Sequence, residues 1–269
     1  MHTDIHATAE AELREAVEGR FRDPSFRMPV LPGLALQLVT LARQPNVTFK
    51  QLSELIRVEP TLAAEVLRIA QSPLYRRGAV ARSIEHAASL LGTQTLIDLF
   101  LEASVASRVF RVPAYETPMQ QLRKHSVTVA HVTRAVCRAA QFSEDVAFTC
   151  GLLHDVGMAV GMIAANDLLL RPKFEQLEPV LFGMHTALGE RVATLWRLPE
   201  DIRSAVAQHH DPVSPMSAAV CLAEAITDGC PRGWDPSPRE QSQAERALMI
   251  LDLPASAITE LRAEARRVA

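Results

Sequence analysis

The chain has 269 residues, 48% hydrophobic but only 5% aromatic, enough apolar material for one large or two modest cores built from Leu, Val and Ala. Lys and Arg number 28 against 31 Asp and Glu, a net charge of -3 with no block of like charge, which speaks against a nucleic-acid or membrane surface. Cys137, Cys150, Cys221 and Cys230 lack C-x-x-C spacing and read as reduced thiols of a cytoplasmic protein.

The N-terminal twenty residues carry acidic groups and no continuous apolar run, which argues against a secretory signal, and no stretch reads as a membrane span. Apolar residues recur at spacings of three and four, and period-two alternation is missing, so the chain is predicted to be all-α. An amphipathic helix over 6–20 ends at the proline-rich segment holding Pro24, Pro29 and Pro32. Short helices follow: 34–43; a second opened by Thr48 with Gln51 three residues on, the pattern of a capping box; and a third from Pro60, stopped by Pro73. Ser83 opens and Gly92 closes the next, ahead of a helix running to about Phe110.

The proline-bearing segment 111–118 divides the chain into two predicted lobes. Longer helices are predicted beyond it, over 119–140, 143–165, 173–196, 200–210 and 214–228. A turn-rich linker around Pro231 and Pro236 then leads to a charged helical tail, split at Pro254. The first helix and this tail are expected to pack on the lobes rather than to dimerise, because terminal helices need tertiary burial.

Six of the nine histidines fall between 125 and 210. His125 shares a helical stripe with Val129, Val132 and Val136, His185 with Leu188, Val192 and Trp196, and His209 with Ile202, Ala205 and Val206. Three helices thus turn a histidine inward, and a buried ring costs roughly 1–3 kcal/mol unless it finds a partner. With Asp155 as carboxylate, the set suits one or two divalent ions such as Fe, Mn or Zn. The alternative is a group of rings satisfied by neighbours without metal. A helix-turn-helix reading of residues 49–70 fails on charge, since Glu65 offsets Arg68; Arg76, Arg77 and Arg82 read as a solvated loop.

The order His125, His154-Asp155, His185, His209-His210 is similar to that of the HD superfamily of metal-dependent phosphohydrolases. Together with "MPVLPGLALQLVTLA", "LSELIRVEPTLAAEVLRIAQSPLY", "SIEHAASLLGTQTLIDL" and "AFTCGLLHDVGM", it resembles the HDOD family, the HD-related output domain, over about 25–228. The resemblance implies a bacterial signal-transduction protein, an N-terminal helical lobe (25–115) packed on an HD-like bundle (116–228). An N-terminal helix (1–24) and a tail (229–269) would flank them. It implies regulatory output through a signalling protein partner, without catalysis.

Carried over by position, His125, His154, Asp155, His185, His209 and His210 match the superfamily's ligands, and Glu224 stands where its last aspartate is expected. Asp155 would be the catalytic carboxylate if the protein were instead a phosphohydrolase or cyclic-di-nucleotide phosphodiesterase. Met158 replaces the lysine of the active H-D-x-G-K pattern, and no Gly-Tyr-Pro motif follows His210. Arg123, Lys124 and Arg191 are the substitute phosphate cations nearest in sequence. Glu59-Pro60 and Gln71-Ser72 stand where the family favours Asp-Pro and Asn-Ser.

Overall fold

The computed structural model describes residues 2–31, 33–44, 47–56, 60–75, 81–228 and 238–268. Glu59, Arg76, Arg77, Cys230 and the linker 229–237 lie outside the described residues, and among those described there is no strand. The all-α expectation holds. In chain order the helices are α1 (His2–Arg22), α2 (Gly33–Ala42), α3 (Phe49–Ile56), α4 (Pro60–Ala70), α5 (Ile84–Leu91), α6 (Thr93–Arg108), α7 (Glu116–Ala139) and α8 (Ala147–Leu153). There follow α9 (Val156–Asn166), α10 (Phe174–Phe182), α11 (His185–Leu195), α12 (Glu200–Gln208), α13 (Pro215–Asp228), α14 (Pro238–Ile250) and α15 (Ala257–Val268).

Local chemistry sets several of these boundaries. The Thr48–Gln51 box forms reciprocally, the Gln51 amide N–H donating to Thr48 Oγ1 at 3.3 Å and the Thr48 N–H donating to Gln51 Oε1 at 2.9 Å. Ser83 accepts the His86 N–H at 3.1 Å to cap α5, and Gly92 ends it at a φ of 83° that a side chain disfavours.

Two long predicted helices are broken instead. The run 143–165 divides at His154-Asp155, and 173–196 divides at Gly183-Met184, after Pro179 has removed a donor within α10. The first break decides the site. In a continuous helix neighbouring residues point about 100° apart, whereas the turn brings His154 and Asp155 to one place.

The sequence reading of 147–166 needs a correction too. By length and composition Ala147–Asn166 is apolar enough to cross a membrane. It is a core segment all the same, mostly buried within the protein and broken at that turn. Its glycines let helices meet. A Cβ on Gly157 would lie 1.9 Å from the His185 carbonyl oxygen and one on Gly151 2.5 Å from the Ala130 Cα, so α9 and α8 approach α11 and α7 backbone to backbone.

α2, α4 and α5 pack on α6; α7 packs against α8, α13 and α15; α11 packs against α9 and α12. α1 lies on α9 and α10, and α14 lies on α13, so both terminal segments are buried against the histidine-bearing half of the chain. Cys137, Cys150 and Cys221 are buried free thiols.

Candidate metal centre

Five elements deliver the centre. α7 brings His125, the α8–α9 turn His154 and Asp155, the start of α11 His185, the end of α12 His209 and His210, and α13 Glu224. Ligand-type atoms of His125, His154, Asp155 and Glu224 lie within 4.8 Å of one another, and so do those of His185, His209 and His210.

Asp155 stands between the two groups. Its Oδ2 is 3.3 Å from His154 Nε2 and 3.8 Å from His125 Nε2; its Oδ1 is 3.3 Å from His185 Nε2 and 3.8 Å from His209 Nε2. Glu224 Oε2 approaches His210 Nδ1 at 3.7 Å. His154, His185 and His209 are buried, while the side chains of His125 and His210 are each 23% exposed, which leaves the centre open on that side.

The outer ring nitrogens are fixed by backbone. His154 Nδ1 meets the Gly151 carbonyl, His185 Nδ1 that of Phe182 and His209 Nδ1 that of Val206, each at 2.8 Å. A carbonyl only accepts, so each Nδ1 carries a proton, and in the neutral ring each Nε2 turns a lone pair into the centre. Yet His185 Nε2 lies 3.1 Å from both His209 Nε2 and His210 Nε2, and His154 Nε2 lies 3.3 Å from His125 Nε2. His185 and His209 both carry their proton on Nδ1, so their Nε2 lone pairs face each other and repel, which a cation among the rings would relieve. His125 and His210, by contrast, can turn an Nε2–H toward His154 and His185.

A proton supplies positive charge in one group. Burial alone would push His154 down, but the Asp155 carboxylate outweighs it and lifts the ring to about 9. Asp155 is held well below the usual carboxylate range: burial raises it, and His154, His185 and His209 more than reverse that. His209 behaves in the opposite way, driven well below its ordinary value by burial and by the neighbouring His154 and His210. A proton on His209 is therefore unfavourable, whereas a metal ion among His185, His209 and His210 would satisfy their ring nitrogens. Neutral imidazoles with carbonyl-bonded outer nitrogens and two carboxylates are the donor set that Fe, Mn and Zn accept.

The other residues singled out in the sequence go elsewhere. His131 Nε2 and the Tyr75 hydroxyl share a hydrogen bond at 2.7 Å. Arg123 binds Glu102 at 3.2 Å, Arg191 lies 4.4 Å above the Phe21 ring, and Lys124 is exposed, so the two arginines named as substitute phosphate cations have other partners. Met158 packs against the core. Arg68, the base of the helix-turn-helix reading, is tied to Glu65.

Two residues at the centre escaped the sequence reading. Phe182, 60% exposed, sits with its ring 5.7 and 5.6 Å from those of His185 and His210. Gln243 of α14 donates its side-chain amide to the His210 carbonyl, beside an Arg246–Asp211 ion pair. Phe182 had a signal, as an aromatic three residues before a candidate ligand histidine; Gln243 had none.

Residues 28–212 match the HDOD domain. An uncharacterized protein of Treponema pallidum is 22% identical over 216 residues, which cover 76% of this chain and 41% of that protein. Ribonuclease Y of Deinococcus radiodurans is 30% identical over 115 residues, covering 42% of this chain and 17% of that enzyme. The chain thus spans less than half the length of these curated relatives. Among solved structures, an HDOD domain protein of unknown function from Geobacter sulfurreducens has a TM-score of 0.67 at 23% identity, covering 96% of this chain and 99% of its own. A Marinobacter aquaeolei protein provisionally named for signal transduction has a TM-score of 0.64 at 17% identity, covering 98% of this chain and 64% of its own. At these identities the structures speak for the fold, and with the match over most of its length the chain belongs to the HDOD domain family.

Proposed function

We propose that this chain is a bacterial, cytoplasmic signal-transduction protein that acts by binding a signalling protein partner, and that its histidine centre holds one or two divalent ions without turning over phosphate esters. Residues 25–115 and 116–228 serve as its two lobes. The carrying observation is a centre rich in metal ligands and poor in phosphate ligands. Asp155 faces both histidine groups, while Met158 is apolar and Arg123 and Arg191 are engaged elsewhere. The provisional signalling name of the Marinobacter protein agrees with this reading.

The test is metal content by plasma mass spectrometry, on protein purified without chelator or affinity metal. About one or two equivalents of Fe, Mn or Zn are expected, absent from a His154→Ala/Asp155→Ala double variant. At metal a hundredfold above its Kd the stabilisation is about 2.7 kcal/mol, so chelation should lower Tm in the parent alone. No metal before or after titration refutes the metal centre.

A second reading, a metal-dependent phosphohydrolase, draws on the same placement of Asp155 between two ligand groups. Bound metal would supply a water of pKa near ~7 and a clamp for phosphate. Hydrolysis of bis-p-nitrophenyl phosphate that disappears in the double variant would establish it. Activity appearing only in Met158→Lys would instead locate the deficit at that one side chain.

A further inference from the structure

Away from the histidines, a groove of about 850 Å³ opens where α6 and α7 diverge, with α2 and α4 along one side. That is within the size range of small-molecule sites. Its walls include buried Phe110 and Met119, and Ser104 also lines it. Ser104 is 1% exposed, and its hydroxyl has no hydrogen-bond partner among the described residues. A buried hydroxyl left unpaired costs about 1–3 kcal/mol, and a ligand in the groove would relieve that cost.

The groove's charge is distributed unevenly. Arg123 at one end is held by Glu102 at 3.2 Å and approaches Glu65 at 4.0 Å; Glu116 on the rim accepts the Gln120 amide at 3.2 Å. Arg108 and Arg111, also on the rim, are exposed and have no ion-pair partner among the described residues. Two guanidinium forks three residues apart suit a doubly charged, oxygen-rich head, and the apolar wall below suits a hydrophobic body.

We propose that this groove is a second ligand site, separate from the histidine centre, which takes a small phosphate ester bearing an apolar or aromatic body. The phosphate sits on Arg108 and Arg111, and the body lies along Phe110 and Met119 over the Ser104 hydroxyl. α7 connects the two sites: Met119 and Arg123 line the groove, and His125 stands two residues further on. The site stands whether or not the histidines hold metal.

The experiment is calorimetric titration of the whole chain with 1-naphthyl phosphate, beside inorganic phosphate and 1-naphthol alone. One equivalent of the ester is expected to bind, at least about tenfold more tightly than either fragment. Arg108→Ala/Arg111→Ala should weaken it at least about tenfold with Tm unchanged, since both side chains are exposed. Asp155→Ala should leave it intact. Loss of binding in Asp155→Ala would assign the ester to the histidine centre and overturn the groove. So would undiminished binding in the double arginine variant, or no saturable binding at about 1 mM ester.

Discussion

On the side of α7 that faces α6, buried charge is matched within the chain. Arg134 pairs with Asp98, Arg123 with Glu102, and the Tyr75 hydroxyl is hydrogen-bonded to His131. On the side that faces α8, α11 and α12, burial gathers groups of one kind, and imidazole nitrogens meet at 3.1 to 3.3 Å around a single aspartate. Both regions bury polar groups at similar depth. In the first, opposite charges pair within the chain, although Glu102 Oε2 and the Ser104 hydroxyl have no partner among the described residues. In the second, like groups gather around one carboxylate, an arrangement that a bound cation would complete. Burial of histidine alone does not separate the two regions; the identity of the partner does.

The largest expected effect breaks the charge-paired region. Asp98→Ala would leave the Arg134 guanidinium, 14% exposed, over the Phe148 ring at 5.5 Å. Its remaining ion-pair partner among the described residues would be the distant Glu144 carboxylate at 3.9 Å. Removing one partner of a buried ion pair typically costs 3–5 kcal/mol. Because Glu144 remains, a loss of about 3 kcal/mol is expected in urea denaturation, with metal content unchanged. A loss below about 1 kcal/mol, or a concurrent loss of metal, would show that the two sides of α7 are not independent.

His131 gives the same region a pH signature. Burial first, and then the positive charge of Arg134, lower this histidine from 6.5 to about 4. The unfolded chain takes up a proton at 6.5 that the folded chain refuses until about 4, so stability present above pH 6.5 is lost as pH falls through that window. The loss amounts to about 2–3 kcal/mol. Asp98 acts in the opposite sense: burial outweighs Arg134 and raises its carboxyl to about 6, which favours the folded state as pH falls from 6 toward 4. The clean measurement is therefore the difference between parent and His131→Gln, whose amide can accept from or donate to the Tyr75 hydroxyl but does not titrate. The parent's advantage should shrink by about 2–3 kcal/mol between pH 6.5 and 4, and a constant difference would sink the assignment.

Helices set by local chemistry were legible in the sequence. Thr48 with Gln51, Ser83 and Gly92 fix their ends through hydrogen bonds and a positive φ that the residue types announce. The stripes through His125, His185 and His209 likewise revealed which histidines face inward, because 3.6-residue periodicity survives in any helix packed on one side. The breaks at His154-Asp155 and Gly183-Met184 were hidden, since the apolar pattern runs through both and tertiary contact overrides it. The carbonyls of Gly151, Phe182 and Val206 were hidden too, because backbone acceptors leave no mark on residue type. Their geometry is what turns nearby histidines into converging lone pairs.

The smallest expected effect sharpens the comparison from outside the matched residues 28–212. α14 lies beyond that segment, yet its Gln243 amide holds the His210 carbonyl and its Arg246 pairs with Asp211. His210 therefore depends for its position on a helix that, among the described residues, contributes no ligand-type group to the centre. Gln243→Ala removes one such support and should weaken metal uptake about tenfold, some 1.4 kcal/mol, while the metal-free protein keeps its stability within about 0.5 kcal/mol. If α14 were only a cover over α13, the effect would invert: the metal-free protein would melt earlier and titrated metal would bind as before. Gln243→Glu divides the two cases further, because a carboxylate oxygen cannot donate to the carbonyl and repels it. Weaker metal uptake than in Gln243→Ala would place the effect in that hydrogen bond rather than in lost packing.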